Sequence, residues 1–127
     1  MSTDYNTDAF AEISASEQIC LLNDAFRTQH LAIAPLIAQN QLVVTRGVAE
    51  HGTDFIDRAV KAVRNFSDFT ENNDPHGEHD FGIFTLDGLA LNWKIDYYDE
   101  DLEYGSSDPA DPAVTRRVLT ILLAEEY

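Results

Sequence analysis

The stretch "NNDPHGEHDFG", residues 72–82, sets His76, Glu78, His79 and Asp80 close together among Pro75, Gly77 and Gly82. Two kinds of chemistry use such groups. A carboxylate beside an imidazole fixes its tautomer and prepares a general base, while His and Glu donors in proximity can ligate a divalent metal. In an extended chain His76 and Glu78 fall on one side and His79 on the other, so a single ion collects all three only if the Pro75–Gly77 region turns. The spacing is not the H-E-x-x-H of a helical zinc site, and "HGE" lacks the P-C-x-x-C that accompanies H-x-E in zinc deaminases. No cofactor is therefore expected, with a divalent metal at His76, Glu78 and His79 kept as the lesser alternative.

A second stretch, "DYYDEDLEY" at residues 96–104, mixes three tyrosines with five acids. Aromatic anchors ringed by carboxylates suit a partner rich in Arg and Lys, which makes Tyr97, Tyr98, Asp99, Glu100, Asp101, Glu103 and Tyr104 the candidate binding residues. The alternative is a strand end running into a solvated loop. The oxygen-rich segment lacks the order of an EF-hand loop.

Elements must position these groups. Asp87-Gly88 is a two-residue turn suited to a type I′ hairpin, and it fixes a register in which paired positions sum to 175. Alternation then puts Phe84, Leu86, Leu89, Leu91, Trp93 and Ile95 on a core face, leaving the opposite face mixed. The same register makes His79 the cross-strand neighbour of Asp96, with Lys94 one step away. A bulge near Gly82 would break that pairing. An enzyme built here would use His79 as acid or base, Asp96 to orient it and Lys94 for charge, as a hydrolase-type site, metal-assisted if His76 and Glu78 join.

Around the hairpin, Ser14 and Glu17 form a capping-box pattern before a helix over 15–28 carrying Ile19, Leu22 and Phe26. Cys20 lies in that helix as a small buried hydrophobe. "HLAIAPLIAQN" holds Pro35 near its centre and reads as a broken helix or packed loop. "QLVVTRGV" predicts a strand over 41–48. From Thr53, a stripe of Phe55, Ile56, Ala59, Val60, Val63 and Phe66 predicts a second helix ending near Asn65, with Asp54/Arg58 and Asp57/Lys61 paired outside. Asp111 as N-cap and Pro112 at the first helical position predict a third helix, with Val114, Val118, Ile121 and Leu122 buried. The result is an α+β domain of order α-β-α-β-β-α, with a small, three-stranded, mostly antiparallel sheet. Residues 1–13 form a loose tail and 14–127 a single domain.

The net charge is −15, and residues 68–111 hold thirteen acids against Lys94 alone. Such a surface repels nucleic acid and anionic membrane and attracts a basic protein partner. The plain alternative is that acidity keeps a small protein soluble. Phosphate-binding loops, a dinucleotide fingerprint and a Gly-x-Ser-x-Gly elbow are missing, as are basic patches for direct DNA contact. Cys20 alone supplies neither an intramolecular disulfide nor a cysteine-based zinc site, and "MSTDYNTDAFAEIS" lacks the pattern of a secretory signal. A cytoplasmic protein is expected. The charge further suggests a protein that inhibits a nucleic-acid-handling enzyme by presenting carboxylates where phosphates would sit.

Three blocks, "NDPHGEHDFG", "WKIDYYDEDL" and "GSSDPADPAVTRRVLTILLAEEY", together resemble the bacterial family catalogued as domain of unknown function 3768. "LNDAFR", "VVTRGV" and "AVRNFSDFTENND" extend the resemblance over most of residues 21–127. It implies a bacterial cytoplasmic single domain of a kind carried on plasmids and prophage-like mobile elements, and it implies no reaction, ligand or catalytic residue.

Overall fold

The structure, a computed structural model, describes residues 12–28 and 39–127. The broken helix or packed loop expected in "HLAIAPLIAQN" falls mostly outside these residues, as does the N-terminal tail. The elements are helix α1 (Ala15–Thr28), strand β1 (Gln41–Val44), a one-turn helix α2 (Arg46–Ala49), helix α3 (Thr53–Arg64), strands β2 (Phe81–Leu86), β3 (Leu89–Tyr98) and β4 (Arg116–Leu123), and a closing 3-10 turn, Ala124–Glu126. They form one four-stranded mixed sheet in the order β1-β4-β3-β2.

The α+β class holds, and two elements differ from expectation. The segment expected as a third helix is β4, the strand at the centre of the sheet, antiparallel to β3 and parallel to β1. Its apolar residues fit both periods: Val114, Val118, Ile121 and Leu122 lie at helical spacing, but Leu119, Ile121 and Leu123 alternate. Val118 and Leu122 fall on the face opposite Leu119, Ile121 and Leu123, and apolar residues on both faces blur the period that separates strand from helix. The "DPADP" signal makes a turn instead, in which the Ala113 N–H donates to Asp111 Oδ1 at 2.9 Å. Strand β1 is also shorter than expected. Thr45 ends it by capping α2, its side chain accepting from the Val48 N–H, so "TRGV" winds into a turn.

The hairpin matches its register: Leu86 faces Leu89, Phe84 faces Leu91 and Gly82 faces Trp93. The three helices cover one face of the sheet. There Leu91, Trp93, Ile95, Leu119, Ile121 and Leu123 pack with Phe26, Val48, Phe55, Ala59 and Val63 in one core cluster. Gly82 has no room for a side chain, because a Cβ would overlap the Trp93 indole and the Phe66 ring. The opposite face is mixed, as the alternation suggested: Ile83 is 55% exposed, and Lys94 pairs with Asp96 along β3.

Helix α3 holds the hairpin turn through Arg58, which donates from Nη1 and Nη2 to the two Asp87 oxygens at 2.7 and 2.8 Å and from Nε to Asp54 at 3.0 Å. The Arg58 bond holds the Asp87 carboxyl below its usual range. A carboxyl with a lowered folded pKa stabilises the fold above its unfolded pKa of about 4, and that contribution is lost as pH falls through the folded value. The difference in thermal midpoint between wild type and Asp87→Asn should therefore be largest near neutral pH and shrink below about pH 4. A difference that persists undiminished to the acid limit would contradict the pairing.

Candidate functional site

Helix α1 turns two faces inward. Its apolar stripe, Ile19, Leu22 and Phe26, packs with less than a tenth of each residue exposed. Cys20, Asn23, Asp24 and Arg27 follow at i, i+3, i+4 and i+7, so they form a polar stripe beside it. That stripe meets the connection to β2 and the ends of β3 and β4.

Asn23, fully buried, sits at the centre of one group. Its Nδ2 donates to the Tyr97 hydroxyl at 2.8 Å and the Glu78 carbonyl at 2.9 Å, and its Oδ1 accepts from Arg117 Nε at 2.7 Å. The Tyr97 hydroxyl donates in turn to Glu78 Oε1 at 3.1 Å. Arg117 is 1% exposed, donates to the Pro109 carbonyl at 2.6 Å and lies over the Tyr97 ring. Burial pulls its guanidinium down to about 10, and burial pushes the Tyr97 phenol up. This layer locks α1 onto the end of the sheet.

Asp24 centres the second group. Its carboxylate lies 2.8 and 3.0 Å from His79 Nδ1, and its Oδ1 accepts from Arg27 Nη2 at 3.2 Å. Cys20 Sγ donates to Oδ2 at 3.8 Å. The His79 ring stacks on Phe69 with centroids 3.7 Å apart and planes within 3°. Arg27 is almost fully buried, donates to the Val63 and Phe66 carbonyls at 2.8 Å each, and covers the Phe69 and Trp93 rings. On the far side of His79, Asp74 accepts the His79 backbone N–H at 3.1 Å and has Oδ2 3.6 Å from Nε2.

The expected meeting of His79 with Asp96 and Lys94 does not occur. The β2–β3 ladder continues one bond past Phe81, from the Ile95 N–H to the Asp80 carbonyl, and then leaves the sheet. His79 has φ 55°, in the left-handed region, which swings its ring to the helix-covered side. Asp96 and Lys94 stay on the opposite face. The expected metal set also separates: His76 is exposed, Glu78 turns to Tyr97, and His79 takes Asp24. Burial, with Glu78 next, raises the Asp80 carboxyl.

Cys20 is half-buried and polar in its contacts rather than a hydrophobe. Burial first, then Asp24 and Asp74, push its thiol up to about 12 from 9.0. The thiolate is the reactive form, so a rise of this size leaves roughly a thousandth of the usual thiolate near pH 8. With a chelator present, iodoacetamide should alkylate Cys20 in the folded protein at least about 100-fold more slowly than in urea-unfolded chain, and Asp24→Asn should narrow that gap. Equal rates in folded and unfolded protein would refute this environment. Since the folded thiol keeps its proton where the unfolded one loses it, this group subtracts from stability only as pH rises above about 9.

The candidate binding stretch divides. Tyr97 points into the core, and Tyr98 faces Arg116 across the strands. Beyond them the loop is closed by the Tyr98–Gly105 bridge and by the Asp99 N–H donating to the Tyr104 carbonyl at 2.8 Å. Asp99 Oδ1 accepts from the Asp101 and Glu103 N–H groups at 3.2 and 3.0 Å, an Asx-type turn. Leu102, at φ 59°, and Tyr104 project from it, 41% and 73% exposed, between exposed Glu100, Asp101 and Glu103. The connections over 68–80 and 99–111 both run to the end of the sheet where β2 starts and β3 ends, and they hold eleven of the thirteen acids counted from 68 to 111. Of the bases at this end, Arg27 and Arg117 are buried and Arg116, opposite Tyr98, is half-buried.

The fold and this end of it define a small α+β protein whose buried polar layer carries an acidic, partly aromatic rim. Residues 44–126 match the family model described as a protein of unknown function, DUF3768, and the chain belongs to that family. No curated protein and no solved structure matches it. Cys20, Asn23, Asp24 and Arg27 lie on α1, outside the matched segment. No helix among the described residues is long and apolar enough to cross a membrane.

Proposed function

We propose that this protein is an acidic interaction module that docks on a basic protein surface through the loop 99–104, occupying the groove by which a nucleic-acid-handling enzyme holds phosphates. The observation that carries the reading is the shape of that loop: two exposed apolar anchors, Leu102 and Tyr104, in a ring of carboxylates that Asp99 holds in place. An ordered loop loses little conformational entropy on binding, and aromatic anchors with surrounding charge are the residues that dominate interface energies. The buried layer of Asn23, Tyr97 and Arg117 supplies the rigid base.

A tagged protein offered to a nuclease-treated bacterial lysate should retain nucleic-acid-binding proteins with basic grooves, and release them as salt is raised. A variant carrying Glu100→Gln, Asp101→Asn and Glu103→Gln should not retain them. Recovery of the same partners by both proteins, or of partners with no basic groove, would refute the reading.

A further inference from the structure

We propose that the polar stripe of α1 and the connection to β2 form a binding site for a divalent metal ion of the zinc class, with Cys20 Sγ, an Asp24 carboxylate oxygen and His79 Nδ1 as ligands. These three atoms lie within 4.8 Å of one another, the one such grouping of His, Cys, Asp and Glu donors among the described residues. A tetrahedral zinc ion, with bonds of about 2.3 Å to sulfur and about 2.0–2.1 Å to nitrogen and oxygen, holds its ligand atoms roughly 3.3–3.6 Å apart. Here Asp24 Oδ2, the oxygen not bonded to Arg27, lies 3.8 Å from Sγ and 3.0 Å from Nδ1. One separation closes and the other opens by a few tenths of an ångström to admit the ion, a movement within reach of side-chain rotation.

What surrounds the three donors is what a metal site requires. A ligating histidine donates its second ring N–H to a carboxylate, which fixes the tautomer and aims the ring. Asp74 stands in that position, 3.6 Å from Nε2. Phe69 holds the imidazole plane by stacking, and Arg27 holds the Asp24 carboxylate from the side away from the cysteine. The left-handed backbone at His79 serves the same end, since an extended chain would send the ring to the other face of the sheet. Charge also balances. A thiolate and the Asp24 and Asp74 carboxylates give three negative charges, and Arg27 with a divalent ion gives three positive, the thiol proton passing to solvent on binding.

The donor set selects the ion. One thiolate, one imidazole nitrogen and one carboxylate suit zinc or cobalt, whereas calcium and magnesium demand a shell of oxygens. Three protein ligands leave the fourth position to water. This site is independent of the acidic loop and stands or falls separately from the docking function.

The probe is cobalt(II) added to reduced, chelator-stripped protein. The expected result is a thiolate-to-cobalt charge-transfer band in the near ultraviolet that saturates at one equivalent and is displaced by zinc(II). Cys20→Ser should abolish the band, and His79→Gln should weaken cobalt binding by at least about 10-fold. Folded wild-type protein, verified by circular dichroism, that gives no saturable band would overturn the proposal, and no variant is needed for that outcome. A band unaltered in affinity by His79→Gln would overturn it equally.

Discussion

Asn23→Ala is expected to cost about 3–5 kcal/mol of folding stability, because it leaves the Nε of a buried guanidinium without its acceptor and removes one hydrogen bond each from the Tyr97 hydroxyl and the Glu78 carbonyl. Asn23 accepts from Arg117 Nε while donating to the Tyr97 hydroxyl and the Glu78 carbonyl. Water cannot repair the loss, since both Asn23 and Arg117 are essentially inaccessible. Against a typical total of about 5–15 kcal/mol, the variant would be marginal or unfolded near body temperature. Asn23→Asp separates the contributions: it still accepts from Arg117 but gives up both donated bonds, so it should fall between wild type and alanine. Urea unfolding followed by Trp93 fluorescence measures both. A loss under about 1 kcal/mol for alanine would show that α1 is not locked to the sheet through this layer.

The second large effect concerns binding. Glu100→Gln, Asp101→Asn and Glu103→Gln together are expected to weaken a basic partner roughly 30-fold at about 0.1 M salt, equivalent to about 2 kcal/mol. Exposed charge pairs contribute about 0.2–1 kcal/mol each, and three acting on one basic groove reach that sum near the upper end of the range. Asp99 is kept because its carboxylate shapes the loop by accepting two backbone N–H groups. Stability should stay within about 0.5 kcal/mol of wild type, as for surface substitutions away from caps and core. The two predictions therefore divide the molecule, with Asn23 governing the platform and the loop governing recognition.

How much of this was legible follows from the range of each interaction. Asp87-Gly88 specifies its own turn, so the hairpin register and the core face of Trp93 could be read from local sequence, as could α3 from its repeated apolar stripe. Strand β4 could not, because Val118 and Leu122 on its far face complete a helical spacing with Ile121, and the preceding "DPADP" carries a helix-start pattern that here makes a turn. The polar sites were illegible for a different reason. Asp24 and His79 are 55 positions apart, and Asn23 and Arg117 are 94 apart, so no spacing rule links them. A signal was present in α1: Cys20, Asn23, Asp24 and Arg27 share a helical stripe adjoining the apolar one, and a polar stripe beside a buried face calls for partners. The His79–Asp96 expectation failed at one backbone torsion, the left-handed turn at His79, which the alternation rule cannot foresee in a residue other than glycine.

The proposed docking function turns on whether recognition is electrostatic, and the salt dependence of partner affinity reports that most directly. Charges exposed on a rim are screened over about 8–10 Å at ordinary ionic strength. For a partner recovered from lysate, the dissociation constant should rise at least about 10-fold between about 0.05 and 0.2 M salt, and far less steeply for the loop variant. A dissociation constant that is flat over that range, or one that rises equally for wild type and variant, would contradict an acidic loop that engages a basic groove.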